Sequence, residues 1–232
     1  MTEEDIFPRW LLRELQKRGY KDVRSGGIKP ITGPKTPVCA DCNNGWMSVV
    51  ENDARQLILS LVDFARPITP REQQTLASWA TLKALVIDSA STRLTPRGFG
   101  HDLKIKREPH QGIHVWIAAY ADHNEPLKVA PWIIHAEKSD EVIAICLTFT
   151  VVKVAFQVLV PYSPGDLSPL EDFMGSVEQI WPPRSEDMDW PPPYRFDRHS
   201  LPALASRVYD NREPVRMEVT LHRTLVTPPS QG

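Results

Sequence analysis

The chain has 232 residues, 41% of them hydrophobic and 24% charged, with a formal net charge of −2 and a pI near 6.4. That length and apolar content suffice for a real core, in one domain with a small appended module or in two small domains. They exclude a general polyanion binder of high pI, and no apolar run reaches the roughly 18 residues that a membrane helix needs.

The N-terminus opens Thr-Glu-Glu-Asp rather than with a basic and apolar signal sequence, so a cytoplasmic protein without a membrane partner is expected. Phe7 to Gln16 carries Trp10, Leu11, Leu12 and Leu15 at helical spacing, with Pro8 suited to a first turn and Gly19 to a stop. Ser25-Gly26-Gly27 and the prolines at 30, 34 and 37 then predict an extended loop that delivers Val38 and Cys39 into a tight turn. A second helix is predicted from near Asn44, with Asn43 or Asn44 as cap. Its stripe is Trp46, Val49 or Val50, Ala54, Leu57 and Leu61, and it runs to about Ala65. Thr69-Pro70-Arg71-Glu72 has the form of a capping box, and Leu76, Trp79, Ala80, Lys83 and Ile87 continue a third helix.

Beyond Gly98 the pattern changes to β-branched and aromatic runs, which predict strands over His114 to Ala121, Trp132 to Ala136, Val142 to Val160 and Val215 to Val226. The third run is too long for one strand and is expected to fold back near Val151 to Lys153. Between Pro161 and Pro214 dense prolines and weak periodicity predict a surface-wrapping loop with at most short helices. Charge is uneven along the chain. Before Cys39 eight basic residues face five acidic ones, whereas from Pro164 to Pro214 ten acidic residues face five arginines. A solvated charged face is the plain reading of each.

The most distinctive stretch is Cys39-Ala40-Asp41-Cys42-Asn43-Asn44-Gly45-Trp46-Met47. Two thiols two residues apart supply two of the four ligands of a structural zinc site from one turn, and the only other cysteine is Cys146, in an apolar run. Three cysteines with one CxxC fit thiols that bind metal or stay free, not a disulfide scaffold. Together with Glu4-Asp5-Ile6-Phe7-Pro8-Arg9-Trp10-Leu11, this stretch resembles the HNH endonuclease-like family, a ββα-metal module on a treble-clef zinc scaffold. The resemblance covers about residues 1 to 65. The family order is a first CxxC, then Glu-His or Asp-His followed by Ile or Val and Pro, then a second CxxC running into Asn at a helix start. Here Asp5 stands where the family has its base histidine, and an unperturbed carboxylate near pKa 3.9 is a weaker base near neutrality than histidine near 6.5. Met1 lies three residues before Glu4, so the first CxxC is absent, by loss or by a late start of the sequence.

An α+β protein is expected: the resemblance implies an HNH-like treble-clef remnant over 1–65, and the residue patterns add a bridging helix over 66–98 and a C-terminal antiparallel β-rich region over 99–232 that the motif does not explain, including the acidic Pro-rich segment 161–214. The resemblance implies a metal-dependent DNA endonuclease with DNA as partner. Glu4 and an asparagine of the Asn43-Asn44 pair would hold one Mg²⁺ or Mn²⁺, and Asp5 would orient or deprotonate water. Arg9, with Arg13 and Lys35, would contact phosphate, and Cys39 and Cys42 would hold zinc. Two other readings stay open: a non-catalytic nucleic-acid-binding or protein-interaction module on the same scaffold, and a small-molecule enzyme that reuses it.

Other candidates have plainer explanations. His110, His114, His123 and His135 lack the paired spacing of metal ligands. Trp116, Trp132, Trp181 and Trp190 with Tyr120 and Tyr194 could stack bases, but no basic residues interleave with them and a core role is favoured. Trp190-Pro191-Pro192-Pro193-Tyr194 could dock on a protein partner or on the chain's own core, the second being the default.

Overall fold

Two short strands and two helices open the fold in alternation. β1 (Thr2–Asp5) leads into α1 (Arg9–Lys17), and β2 (Lys35–Val38) leads through α2 (Ala40–Cys42) and a π-helical turn (Asn43–Met47) into α3 (Ser48–Asp63). The computed structural model describes residues 2–20, 35–90, 95, 98–121, 126–135, 141–162, 177–197 and 199–200, so the run predicted as a strand over Val215–Val226 lies outside the described residues. Pro8 caps α1 instead of forming its first turn, and Gly19, at φ 82°, ends it where only glycine sits without strain. α1 buries Leu11, Leu12 and Leu15. α1 and α3 run side by side in the same direction: Arg55 lies over the Trp10 ring at 5.6 Å, and eight residues further along each helix Arg18 pairs with Asp63.

The helical path begins earlier than predicted. Cys39 is the N-cap of α2, neither asparagine is a helix N-cap, and Asn43 and Asn44 sit inside the π-helical turn, Asn43 also closing α2 as its C-cap. The predicted stripe of α3 holds at Val50, Ala54, Leu57 and Leu61, which are buried, while Val49 is exposed. After β3 (Arg66–Ile68), α4 (Pro70–Ala90) starts at the predicted capping box. The Thr69 N–H donates to the Glu72 carboxylate at 2.9 Å, and the Thr69 hydroxyl does so at 3.0 Å. α4 is buried on nearly every side because α3 packs on it and the sheet lies beneath it. No helix among the described residues is long and apolar enough to cross a membrane.

α5 (Gly98–Lys106) was not foreseen: its only buried side chain is Leu103, so no apolar period marks it. β4 (His114–Tyr120), β5 (Val129–His135), β6 (Val142–Val151) and β7 (Val154–Pro161) then form an antiparallel sheet in the order β4-β7-β6-β5. The predicted fold-back falls at Val152-Lys153. Val152 takes φ 55°, a left-handed conformation that a β-branched residue rarely adopts, and its N–H donates to Pro126 O at 2.7 Å. Inward-facing residues of β6 and β7 carry Phe149 and Phe156, whose rings meet Trp79 of α4 edge-on at 5.9 and 5.5 Å. The opposite face buries a smaller cluster that includes Trp116, Tyr120, Cys146 and Phe196. Strands buried on both faces read as continuous apolar runs, which is why β6 and β7 showed no alternation.

The segment expected as a proline-rich loop contributes three strands. β8 (Val177–Trp181) extends the sheet antiparallel to β4, β9 (Met188–Trp190) pairs antiparallel with β3, and β10 (Arg195–Phe196) runs parallel to the end of β4. Ile180, Met188, Trp190 and Phe196 are buried, so these short strands are anchored by single large side chains rather than by a repeating pattern. The core predicted for the aromatic residues is found at Trp116, Tyr120 and Trp190, Trp181 is half-buried and Tyr194 is 48% exposed, while the side chain of Trp132 lies outside the described residues. The main apolar cluster runs without interruption from Ile6 through α3 and α4 to Trp190.

Candidate functional site

The antiparallel β1–β2 ribbon organises every residue singled out near the N-terminus. Its register sets Asp5 opposite Lys35, Glu4 opposite Thr36 and Thr2 opposite Val38. Asp5 and Lys35 therefore share one end of the ribbon, and the thiol turn that follows Val38 leaves from the other. Four residue steps along the chain separate the Lys35 position from Cys39, a span of about 13 Å. Asp5 and the Lys35 position thus lie at one end of the ribbon, and the thiol pair, followed directly by Asn43 and Asn44, at the other.

At the first place Asp5 is 9% exposed and its Oδ2 lies 3.5 Å from Nε of Arg9 on the first turn of α1. Arg13, four residues on, is exposed on the same helix face as Arg9. Asp5, Arg9 and the Lys35 position are brought together here, with Arg13 one turn beyond. Thr36, paired in register with Glu4, is buried with its hydroxyl 3.3 Å from the Ser89 hydroxyl near the end of α4. This contact seats the ribbon on α4.

At the second place the two thiols occupy one turn of chain. Cys39 is exposed and Cys42 half-buried, and neither is in a disulfide. The Cys42 N–H, the Cys42 thiol and the Asp41 N–H all hydrogen-bond the Cys39 sulfur, and they hold its pKa below the usual thiol value. Donors aimed at sulfur favour the thiolate, the form that ligates metal. The turn closes through the Asn43 N–H donating to Cys39 O at 2.9 Å. The donor set fits a soft metal with two of the four ligands a structural site needs, and no group of three or more His, Cys, Asp or Glu able to hold a metal is found among the described residues. Asn43 is half-buried and Asn44 exposed, one and two residues beyond Cys42.

No family model, curated protein or solved structure matches this chain.

Next to the ribbon lies a group that the sequence did not flag. Asp88, 3% exposed and adjacent to Ser89, accepts the Thr95 N–H at 2.9 Å. Burial and then the charge of Asp88 push the Tyr162 phenol above its ordinary range. Asp88, Thr95 and Tyr162 come from the end of α4, the segment after it and the end of β7, so no spacing in the sequence could reveal them. The candidate histidines act within the fold. His110 Nδ1 accepts the Gly112 N–H at 3.0 Å, and His114 stacks on Trp116 at 5.7 Å. His123 and the side chain of His135 lie outside the described residues.

Proposed function

We propose that this chain is a metal-dependent DNA endonuclease of the HNH-like class. The supporting observation is the order and pairing of the N-terminal elements: an antiparallel ribbon holding Glu4 and Asp5, a thiol turn leaving its far end, and a long helix behind it. The expected division of labour follows. Cys39 and Cys42 bind zinc as a structural half-site. Glu4 with Asn43 or Asn44 holds Mg²⁺ or Mn²⁺, which when bound stabilises the charge developing on the phosphodiester. Asp5 orients the attacking water and accepts its proton. Arg9 and Arg13 form a cationic strip along α1 for backbone phosphates, joined by Lys35 at the ribbon end.

The Asp5–Arg9 contact favours a second reading, a DNA-binding module without catalysis. The carboxylate that stands in the base position is nearly buried and already faces the Arg9 guanidinium at 3.5 Å. One experiment separates the two. Supercoiled plasmid is incubated with the protein in Mg²⁺, Mn²⁺ or EDTA, beside Glu4→Ala, Asn43→Ala/Asn44→Ala and Asp5→His. Metal-dependent nicking that is lost in the first two variants and rises in Asp5→His supports the endonuclease. Salt-dependent binding with no nicking by the wild type supports the module, and the absence of both sinks both readings.

A further inference from the structure

A cleft far from the ribbon combines features that the N-terminal site lacks. It opens where α3 ends and is lined by Asp63, Phe64, Lys153, Trp190, Pro191 and Arg195, among others. Because α3 has 16 residues, its length sets this cleft about 24 Å from the thiol turn.

Three observations converge there. First, Phe64 is 67% exposed and Tyr194, next to Arg195, is 48% exposed, and these are the exposed large aromatic side chains among the described residues. Of the two, Phe64 lines the cleft, and a mostly exposed aromatic ring at a cleft is unusual for a solvated surface. Second, Lys153 and Arg195 have no carboxylate within ion-pair distance among the described residues, whereas the nearest acid, Asp63, is engaged by both guanidinium nitrogens of Arg18. Third, two acidic residues of the surrounding segment, Glu178 and Asp197, are engaged away from the cleft. Glu178 pairs with Arg184 at 2.7 Å, and Asp197 closes a turn on the N–H groups of His199 and Ser200. Lys153 and Arg195 therefore bring two positive charges to the cleft, against the one lining carboxylate, Asp63, which Arg18 engages and which also feels the Lys153 charge.

Size decides how a ligand would sit. The space is about 110 Å³, well below the roughly 300 Å³ at which pockets enclose a drug-sized molecule. It admits an anionic group but not a whole nucleotide, which leaves a planar ring on the exposed face of Phe64. We propose that this cleft binds an unpaired nucleotide, with its phosphate between Lys153 and Arg195 and its base stacked on Phe64. Cations tracking the backbone with an aromatic platform for the base are the pattern of single-strand recognition. The proposal stands apart from the endonuclease reading, because none of its residues belongs to the ribbon or the thiol turn.

The test titrates the full chain with a short oligothymidylate, with a nucleoside monophosphate and with inorganic phosphate, following tryptophan fluorescence from Trp190 and heat by calorimetry. Saturable binding of the oligonucleotide or the monophosphate is expected, at least about tenfold tighter than phosphate and at least about fivefold weaker in Phe64→Ala. Arg195→Gln should weaken binding and flatten its salt dependence. Both side chains are exposed, so the variants should keep the thermal midpoint, which is measured alongside. Preference for the oligonucleotide identifies a strand as the source, and equal binding of the monophosphate identifies a free nucleotide. No saturable binding of either, binding no tighter than phosphate, or binding indifferent to both substitutions would overturn the proposal.

Discussion

Lys83 is wholly buried in the middle of α4 and its ammonium meets the Glu51 carboxylate in the first turn of α3. This pair locks the start of α3, and with it the turn that carries Asn43 and Asn44, onto the central helix. Removing one partner strands a charge in an apolar setting, so Lys83→Ala is expected to cost about 3 kcal/mol. Replacing both, as Lys83→Met with Glu51→Leu, is expected to cost under about 1 kcal/mol. Urea unfolding of the three proteins reads the difference, and equal losses in the single and double variants would refute it.

Gln73, with no exposure, joins the start of α4 to the distant segment before β9. Its amide donates to Glu186 O at 2.9 Å and to Ile68 O at 3.3 Å, and its carbonyl accepts the Arg184 N–H at 3.0 Å. Gln73→Leu keeps the volume but orphans these backbone groups, and a loss of about 2 kcal/mol is expected. Hydrogen exchange should show faster opening of 184–190 in this variant, with α1 unchanged.

Cys39 should be alkylated first among the three cysteines. It is exposed and its pKa is held below the ordinary value by the Cys42 and Asp41 donors, while Cys146 is buried. Iodoacetamide at rising pH, read by peptide mass, is expected to give a half-rate point for Cys39 below that of a free thiol. Zinc added beforehand should protect Cys39 and Cys42 together and leave Cys146 unchanged.

His114 contributes a pH dependence whose sign is fixed by burial. Desolvation lowers its folded pKa below 6.5, so the unfolded chain binds the proton more readily. The neutral ring therefore favours folding above about pH 6.5, and that contribution is lost as pH falls toward the depressed folded value. His114→Gln should flatten this part of the profile between pH 5 and 7. Identical slopes in wild type and variant would show that the ring does not titrate differently on folding.

The helical half was legible because its signals are local. The capping box at Thr69–Glu72, the stripe Val50-Ala54-Leu57-Leu61 and the stop at Gly19 each lie within one or two turns of chain. The start of the knuckle helix was misplaced because asparagine is a common cap, whereas here backbone N–H groups turn to the Cys39 sulfur and the helical path begins at Ala40. α5 and β8 to β10 were missed because each is held by one or two anchors, such as Leu103, Ile180 and Phe196, with no period to read. Of the candidate site, the sequence showed the thiol pair and the residues on the ribbon. The pairing that sets Asp5 beside Lys35 and about 13 Å from Cys39 depends on strand register. The buried Asp88 and Tyr162, and the cleft at Phe64 and Arg195, join elements too distant in the chain for any spacing to announce.

The indole of Trp190 donates to Leu61 O at 2.9 Å across 129 residues of sequence, and β9 completes its pairing with β3 at the same point. During synthesis the N-terminal half emerges long before this strand does. α3 and β3 must then wait on the ribosome with an unpaired edge and an uncovered apolar surface until residue 190 has cleared the exit tunnel. Exposed apolar surface and an unpaired strand edge are what make incomplete chains prone to associate, and a fragment cut at residue 98 would stay in that unfinished state.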